Sequence, residues 1–108
     1  PTRKIRVPKK GFVYLLRSDQ NVYKFGCTTK NPKIRCSSTN RRDLNFGVFE
    51  VVYFLPSRDI YLEEKLIKWR IWGENILADG EFFSADDLDY TTILKIFKND
   101  ESYKRECF

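Results

Sequence analysis

The sequence predicts an α+β fold, a small ββαβα sandwich with a mostly antiparallel sheet flanked by helices, plus a C-terminal helix. Three observations predict it. "GFVYLLRS" and "NVYKFGC" are rich in β-branched and aromatic residues and are parted by the turn chemistry of "SDQN", so they form a hairpin. "RDIYLEEKLIKWRIW" repeats apolar residues at helical spacing, and "FGVFEVVYFL" is an apolar run of strand length and strand composition. With 108 residues the chain has room for one core.

Residues 1–10, "PTRKIRVPKK", read as an extended basic arm punctuated by Pro8, ahead of one domain over 11–100 and a tail at 101–108, "ESYKRECF". After the hairpin, Pro32 suits the first turn of a short helix running from Lys33 to Arg42. "FGVFEVVYFL" is expected as a buried third strand closed by Pro56. The strongest helix follows, with Ser57 as N-cap and Asp59 in its first turn, and stops near Gly73. "GEFF" is expected as a short edge strand. A final helix starts from a capping Ser84 with acids in its first turn, and spaces Leu88, Ile93, Leu94 and Phe97 helically.

The apolar share of 42% and aromatic share of 16% are enough to fold the chain. No apolar run approaches the roughly 18 residues of a membrane helix, and the basic arm lacks a signal peptide's apolar core. The expectation is an intracellular protein with no membrane partner. Cys27, Cys36 and Cys107 are widely separated and histidine is absent, which argues against zinc and against a disulfide framework. Any acid, base or metal ligand must come from Tyr, Lys, Asp, Glu or Cys. Residues 1–42 carry twelve Lys/Arg against the single acid Asp19, while residues 43–108 carry eight against fourteen acids. So polar a distribution suits a polyanionic partner, DNA or RNA.

On the long helix, Leu62, Leu66 and Trp69 fall together, with Ile60, Ile67 and Ile71 about a third of a turn further round. Glu63 lies between these groups and Glu64 at their edge, toward Lys68. A carboxylate on an inward stripe must be paired or bind a cation. Either a salt bridge, to Arg70 or a strand lysine, or a site satisfies Glu63. Trp69 and Trp72 are expected in the core.

"GFVY", then "VYKFG", an arginine nine residues after the glycine, and "YLEEKLIK" together resemble the GIY-YIG nuclease superfamily. "FVY" stands where its first tripeptide stands and "KFG" where its second stands. "GEFF" is similar to a closing motif of the phage and large-DNA-virus branch, whose second motif is often "YKIG". The resemblance spans residues 11 to 83 and implies the GIY-YIG fold, endonuclease activity on DNA, and one divalent metal, Mg²⁺ or Mn²⁺. It implies Glu63 as metal ligand, Tyr14 as general base or water-orienting residue, and Arg35 and Lys24 as stabilisers of phosphoryl charge. The second tripeptide opens with Lys24 in place of tyrosine, as in certain restriction enzymes of the superfamily, and Arg35 stands one residue later than usual.

Tyr14 and Lys24 share a face if a five-residue connection, Arg17 to Asn21, sets them opposite each other; a four-residue loop would set Phe25 opposite Tyr14. Tyr23 is the fallback should Lys24 point away. Glu81 is either a second acid at the site or an edge-strand residue. Lys9, Lys10, Lys30, Lys33, Arg41 and Arg42 are expected to track the DNA backbone, with Gly26 admitting a phosphate or backbone closely. The rival expectation is a DNA-binding module of the same fold without turnover. The branch resembled points to a virus, phage or mobile element, which would place the protein in the cytoplasm or nucleus of a host cell. In so small a domain, specificity is open to assembly as a homodimer.

Overall fold

The computed structural model describes residues 7–42, 44–74, 78–79, 82–84 and 88–100. The first six residues of the arm, Glu81, the acids after Ser84 and the tail at 101–108 lie outside the described residues. The chain runs β1 (Gly11–Ser18), β2 (Val22–Thr28), α1 (Pro32–Arg42), a 3₁₀ turn at Leu44–Phe46, β3 (Phe49–Ser57) and α2 (Ile60–Gly73). Then come β4 (Ala78–Asp79), β5 (Phe82–Ser84) and α3 (Tyr90–Lys98). The strands form one sheet in the order β3-β1-β2-β5-β4, with every neighbouring pair antiparallel. The α+β architecture is therefore as the sequence predicts.

Val13, Tyr14, Leu15 and Leu16 are all buried, which an alternating half-exposed strand would not allow. The reason is that helices cover both faces. Val13, Leu15, Tyr23 and Phe25 pack with Ile67 and Ile71 of α2, Phe83 of β5, and Ile93, Ile96 and Phe97 of α3. Tyr14 and Leu16 point the other way, to Cys36 of α1 and Phe49 of β3. Each fully buried Leu, Ile or Phe contributes about 1.5–3 kcal/mol by leaving water, so the two clusters together hold the three layers.

Four expectations are corrected. The strand after the first helix is not fully buried: β3 is an edge strand, half-buried along most of its length. That position explains how Pro56, which has no N–H to donate, stays inside the strand opposite Phe12. Phe82 and Phe83 of "GEFF" lie in β5, which is flanked by β2 and β4 and is not an edge. Asp59 and not Ser57 caps α2, accepting the Leu62 N–H, while Ser57 closes β3. Asp89 and not Ser84 caps α3, accepting the Thr92 N–H at 2.8 Å, because Ser84 is spent in β5.

The hairpin connection is shorter than five residues. Ser18 Oγ accepts the N–H groups of Gln20 and Val22, and Asn21 takes the left-handed conformation at φ 60°, so Asp19, Gln20 and Asn21 make the whole turn. Tyr14 thus pairs with Gly26, and Lys24 with Leu16. The slip from the expected register is two residues, an even number, so Tyr14 and Lys24 still share a face. Asp19 also anchors the turn after α1: its carboxylate accepts the Val48 N–H and its own N–H reaches Val48 O. Gly47, at φ 96°, supplies the left-handed residue that junction requires.

Candidate functional site

The open end of the hairpin faces the first turns of α1 and α2, and a cleft of about 430 Å³ lies between them. Lys9, Tyr14, Gly26, Cys27, Thr28, Thr29, Arg35, Ile60, Tyr61 and Glu64 line it. Local structure sets each member in place. Lys9 is held because its carbonyl accepts the Ile60 N–H at 2.9 Å, tying the arm to the start of α2. Asn31 caps α1 through its side-chain oxygen on the Lys33 N–H, Pro32 follows at the first helical position, and Arg35 then falls at the rim of the cleft. The Tyr14 ring lies across Gly26: a Cβ at that glycine would stand 2.6 Å from the ring carbon Cζ. What approaches the glycine closely is a tyrosine side chain.

The helix carboxylate in the cleft is Glu64. The sequence expectation of Glu63 rests on treating both apolar groups of α2 as inward, but only Ile60, Ile67 and Ile71 are buried, while Leu62, Leu66 and Trp69 are exposed. Glu63 and Glu64 therefore flank one narrow buried stripe on opposite sides, 100° apart, and the side that meets the cleft is that of Glu64. The signal was present in the sequence as Glu64's place at the stripe's edge. Tyr61 also enters the cleft, and nothing in its spacing singled it out.

Lys24 does not line the cleft. It is 4% exposed, donates to Thr39 Oγ1 at 3.1 Å and stands 5.3 Å over the Phe82 ring, beneath α1. Two residues along β2 from Gly26 carry it about 6.6 Å toward the turn. Its amphipathic stem fits the apolar cluster while its ammonium meets a hydroxyl and a ring face. Tyr23, the fallback, is on the opposite face, stacked on Phe83 at 5.3 Å, and is remote from the cleft. Lys10, Lys30, Lys33, Arg41 and Arg42 are exposed. Lys33 lies in the first turn of α1 near the cleft, while Arg41 and Arg42 lie in its last turn, and none of these five lysines and arginines lines the cleft itself.

Burial pushes the Tyr23 phenol and the Cys36 thiol up; Arg17 opposes the first, Glu50 adds to the second and Lys24 opposes it. Both groups are thus held neutral in the fold. The stability they carry is whole below the ordinary thiol value near pH 8.5 and is lost as pH rises through the raised values. Thermal melts between pH 8 and 11 are expected to fall steadily, and Tyr23→Phe is expected to flatten the part of that fall above about pH 10.

Comparison of the chain with protein-family models, with curated proteins and with solved structures finds no match.

Proposed function

We propose that the protein is a metal-dependent DNA endonuclease that hydrolyses phosphodiester bonds in this cleft. One observation carries the reading: Tyr14, laid over Gly26, shares a single cleft with Arg35 and Glu64. A phenol, a guanidinium and a carboxylate are what phosphodiester hydrolysis needs in a chain without histidine. The donor set fits a hard cation. A single carboxylate lining the cleft among the described residues suits Mg²⁺ or Mn²⁺, which keep several waters and borrow phosphate oxygens. Among the described residues no cluster of three or more His, Cys, Asp or Glu forms, so a dedicated zinc cage is not what the cleft offers.

Glu64 would hold the ion, which when bound polarises the phosphoryl oxygens and acidifies a water. Tyr14 orients the attacking water or takes its proton; a free phenol ionises near pH 10, so the basic role needs cations nearby, and Lys9 and Arg35 line the same cleft. Arg35 meets the charge growing on the phosphoryl group with a planar pair of donors. Lys10, Lys30, Lys33, Arg41 and Arg42 hold the DNA backbone and read no sequence.

The test is incubation with supercoiled plasmid and branched DNA in Mg²⁺ or Mn²⁺ against an EDTA control. Nicking that needs the metal is expected. DNA binding without nicking in either metal would replace the proposal with the second reading, a binding module without turnover, which the burial of Lys24 away from Tyr14 favours. A further outcome follows from that burial. Lys24→Met is expected to keep nicking within about tenfold, because the ammonium meets Thr39 and not the substrate, while Arg35→Ala lowers it about 10²–10³-fold. An equal loss in both variants would return Lys24 to the chemistry.

A further inference from the structure

Five large apolar side chains stand on the outside of α2: Tyr61, Leu62, Leu66, Trp69 and Trp72, with Trp69 64% and Trp72 53% exposed. The sequence expectation that both tryptophans belong to the core is corrected by these exposures. Singly exposed apolar residues need no explanation, but five on one helix, three of them aromatic, make that helix the place to look for a binding surface.

Tyr61, Lys65, Lys68 and Trp72 recur at i, i+4, i+7 and i+11, so they form one row along the helix. The row begins in the cleft, since Tyr61 lines it, and runs about 16 Å to Trp72 at 1.5 Å per residue. Lys68 Nζ stands 4.9 Å from the Trp72 ring centroid, so cation and aromatic face are already side by side. The row holds two lysines and no acid. We infer that this row is a lane for an unpaired DNA strand leaving the cleft, so that the substrate is branched or frayed DNA. The inference rests on the nuclease reading and names its substrate class.

Aromatic faces interleaved with cations are what a single strand takes, because every base has a π-face to stack and every nucleotide a charge to neutralise. At about 3.4 Å per stacked nucleotide the row accommodates roughly five. A paired duplex offers no free base faces to Tyr61 and Trp72. A second copy of the chain fits less well: in an antiparallel two-fold pairing of α2 with itself, the lysine edge meets its own copy and sets like charges opposite each other.

The test measures binding by fluorescence anisotropy in EDTA, with labelled oligo-dT, a blunt duplex and a forked duplex, for wild type, Trp72→Ala, Trp72→Phe and Lys65→Ala/Lys68→Ala. Trp72→Ala is expected to weaken oligo-dT and the fork roughly tenfold to a hundredfold and to leave the blunt duplex within twofold. Trp72→Phe should recover most of the loss, and the double lysine variant should lower the oligo-dT salt slope by about 1.4. Oligo-dT binding unchanged in Trp72→Ala, with an unchanged thermal melt, overturns the inference. So does a wild-type dimer in light scattering that Trp72→Ala converts to monomer, which would give the face to a second copy. Metal-free binding separates this from the nuclease reading: an absence of nicking with the Trp72 effect intact removes the catalysis and leaves the strand lane.

Discussion

Glu64→Gln is expected to lower metal-dependent nicking about a thousandfold or more, whereas Glu63→Gln stays within a few-fold of wild type. Glutamine keeps the size and helical preference of glutamate, so a half-buried residue on the second turn of α2 can be exchanged without disturbing Ile60, Ile67 or Ile71. What changes is the charge that would hold a divalent cation in the cleft. A thousandfold corresponds to about 4 kcal/mol at 1.36 kcal/mol per tenfold, which is the scale expected for losing metal-based stabilisation of phosphoryl charge. The pair is informative because the two carboxylates are adjacent, chemically identical and only one of them lines the cleft. Nicking lost in Glu63→Gln and kept in Glu64→Gln would move the reaction out of this cleft. Raising Mn²⁺ should partly restore a variant whose defect is weak metal binding, and should do nothing for one whose fold is damaged.

The sequence displays the α+β fold because its strongest signals are local. Turn chemistry at "SDQN", β-branched runs and helical spacing all agree, and the face shared by Tyr14 and Lys24 follows from parity alone. What it hides depends on partners distant in the chain. The register slips by two because Ser18 Oγ and a left-handed Asn21 compress the turn, a choice between conformations that composition does not fix. β3 is apolar enough to read as buried yet lies at the edge, where β1 is its strand neighbour and Asn40 of α1 accepts the Phe49 N–H and donates to its C=O. α2 misleads most. It carries apolar residues on nearly all sides, so the wheel shows where stripes are but not which one the sheet covers. That single ambiguity hides both that Glu64 lines the cleft and that Trp69 and Trp72 are exposed. Lys24 is the opposite case. Its type signalled a site, but a long buried stem whose ammonium donates to Thr39 makes it a prop under α1.

Gly26→Ala is expected to destabilise the fold by about 1–3 kcal/mol and to lower nicking by about 10²-fold, although it adds one methyl group. That methyl would stand 2.6 Å from Tyr14 Cζ, a separation no relaxed contact reaches. The ring cannot retreat inward, because Leu16, Cys36 and Phe49 fill the cluster behind it and Tyr14 itself is buried. Either β2 moves away from β1 or the ring swings into the cleft, and both displace the hydroxyl from Arg35 and Glu64. A displacement of about 1 Å is enough for a hundredfold loss when a catalytic group must be aligned. The cause is separable from simple strand weakening, since alanine is a better strand residue than glycine where space allows. In a Tyr14→Ala background the same Gly26→Ala change should therefore cost almost nothing. Urea unfolding of the four proteins reads the coupling directly, and a value above about 1 kcal/mol is expected for two groups competing for one space. Equal costs of Gly26→Ala in both backgrounds would mean that the glycine serves β2 itself, and that Tyr14 is placed in the cleft by something other than the gap beneath its ring.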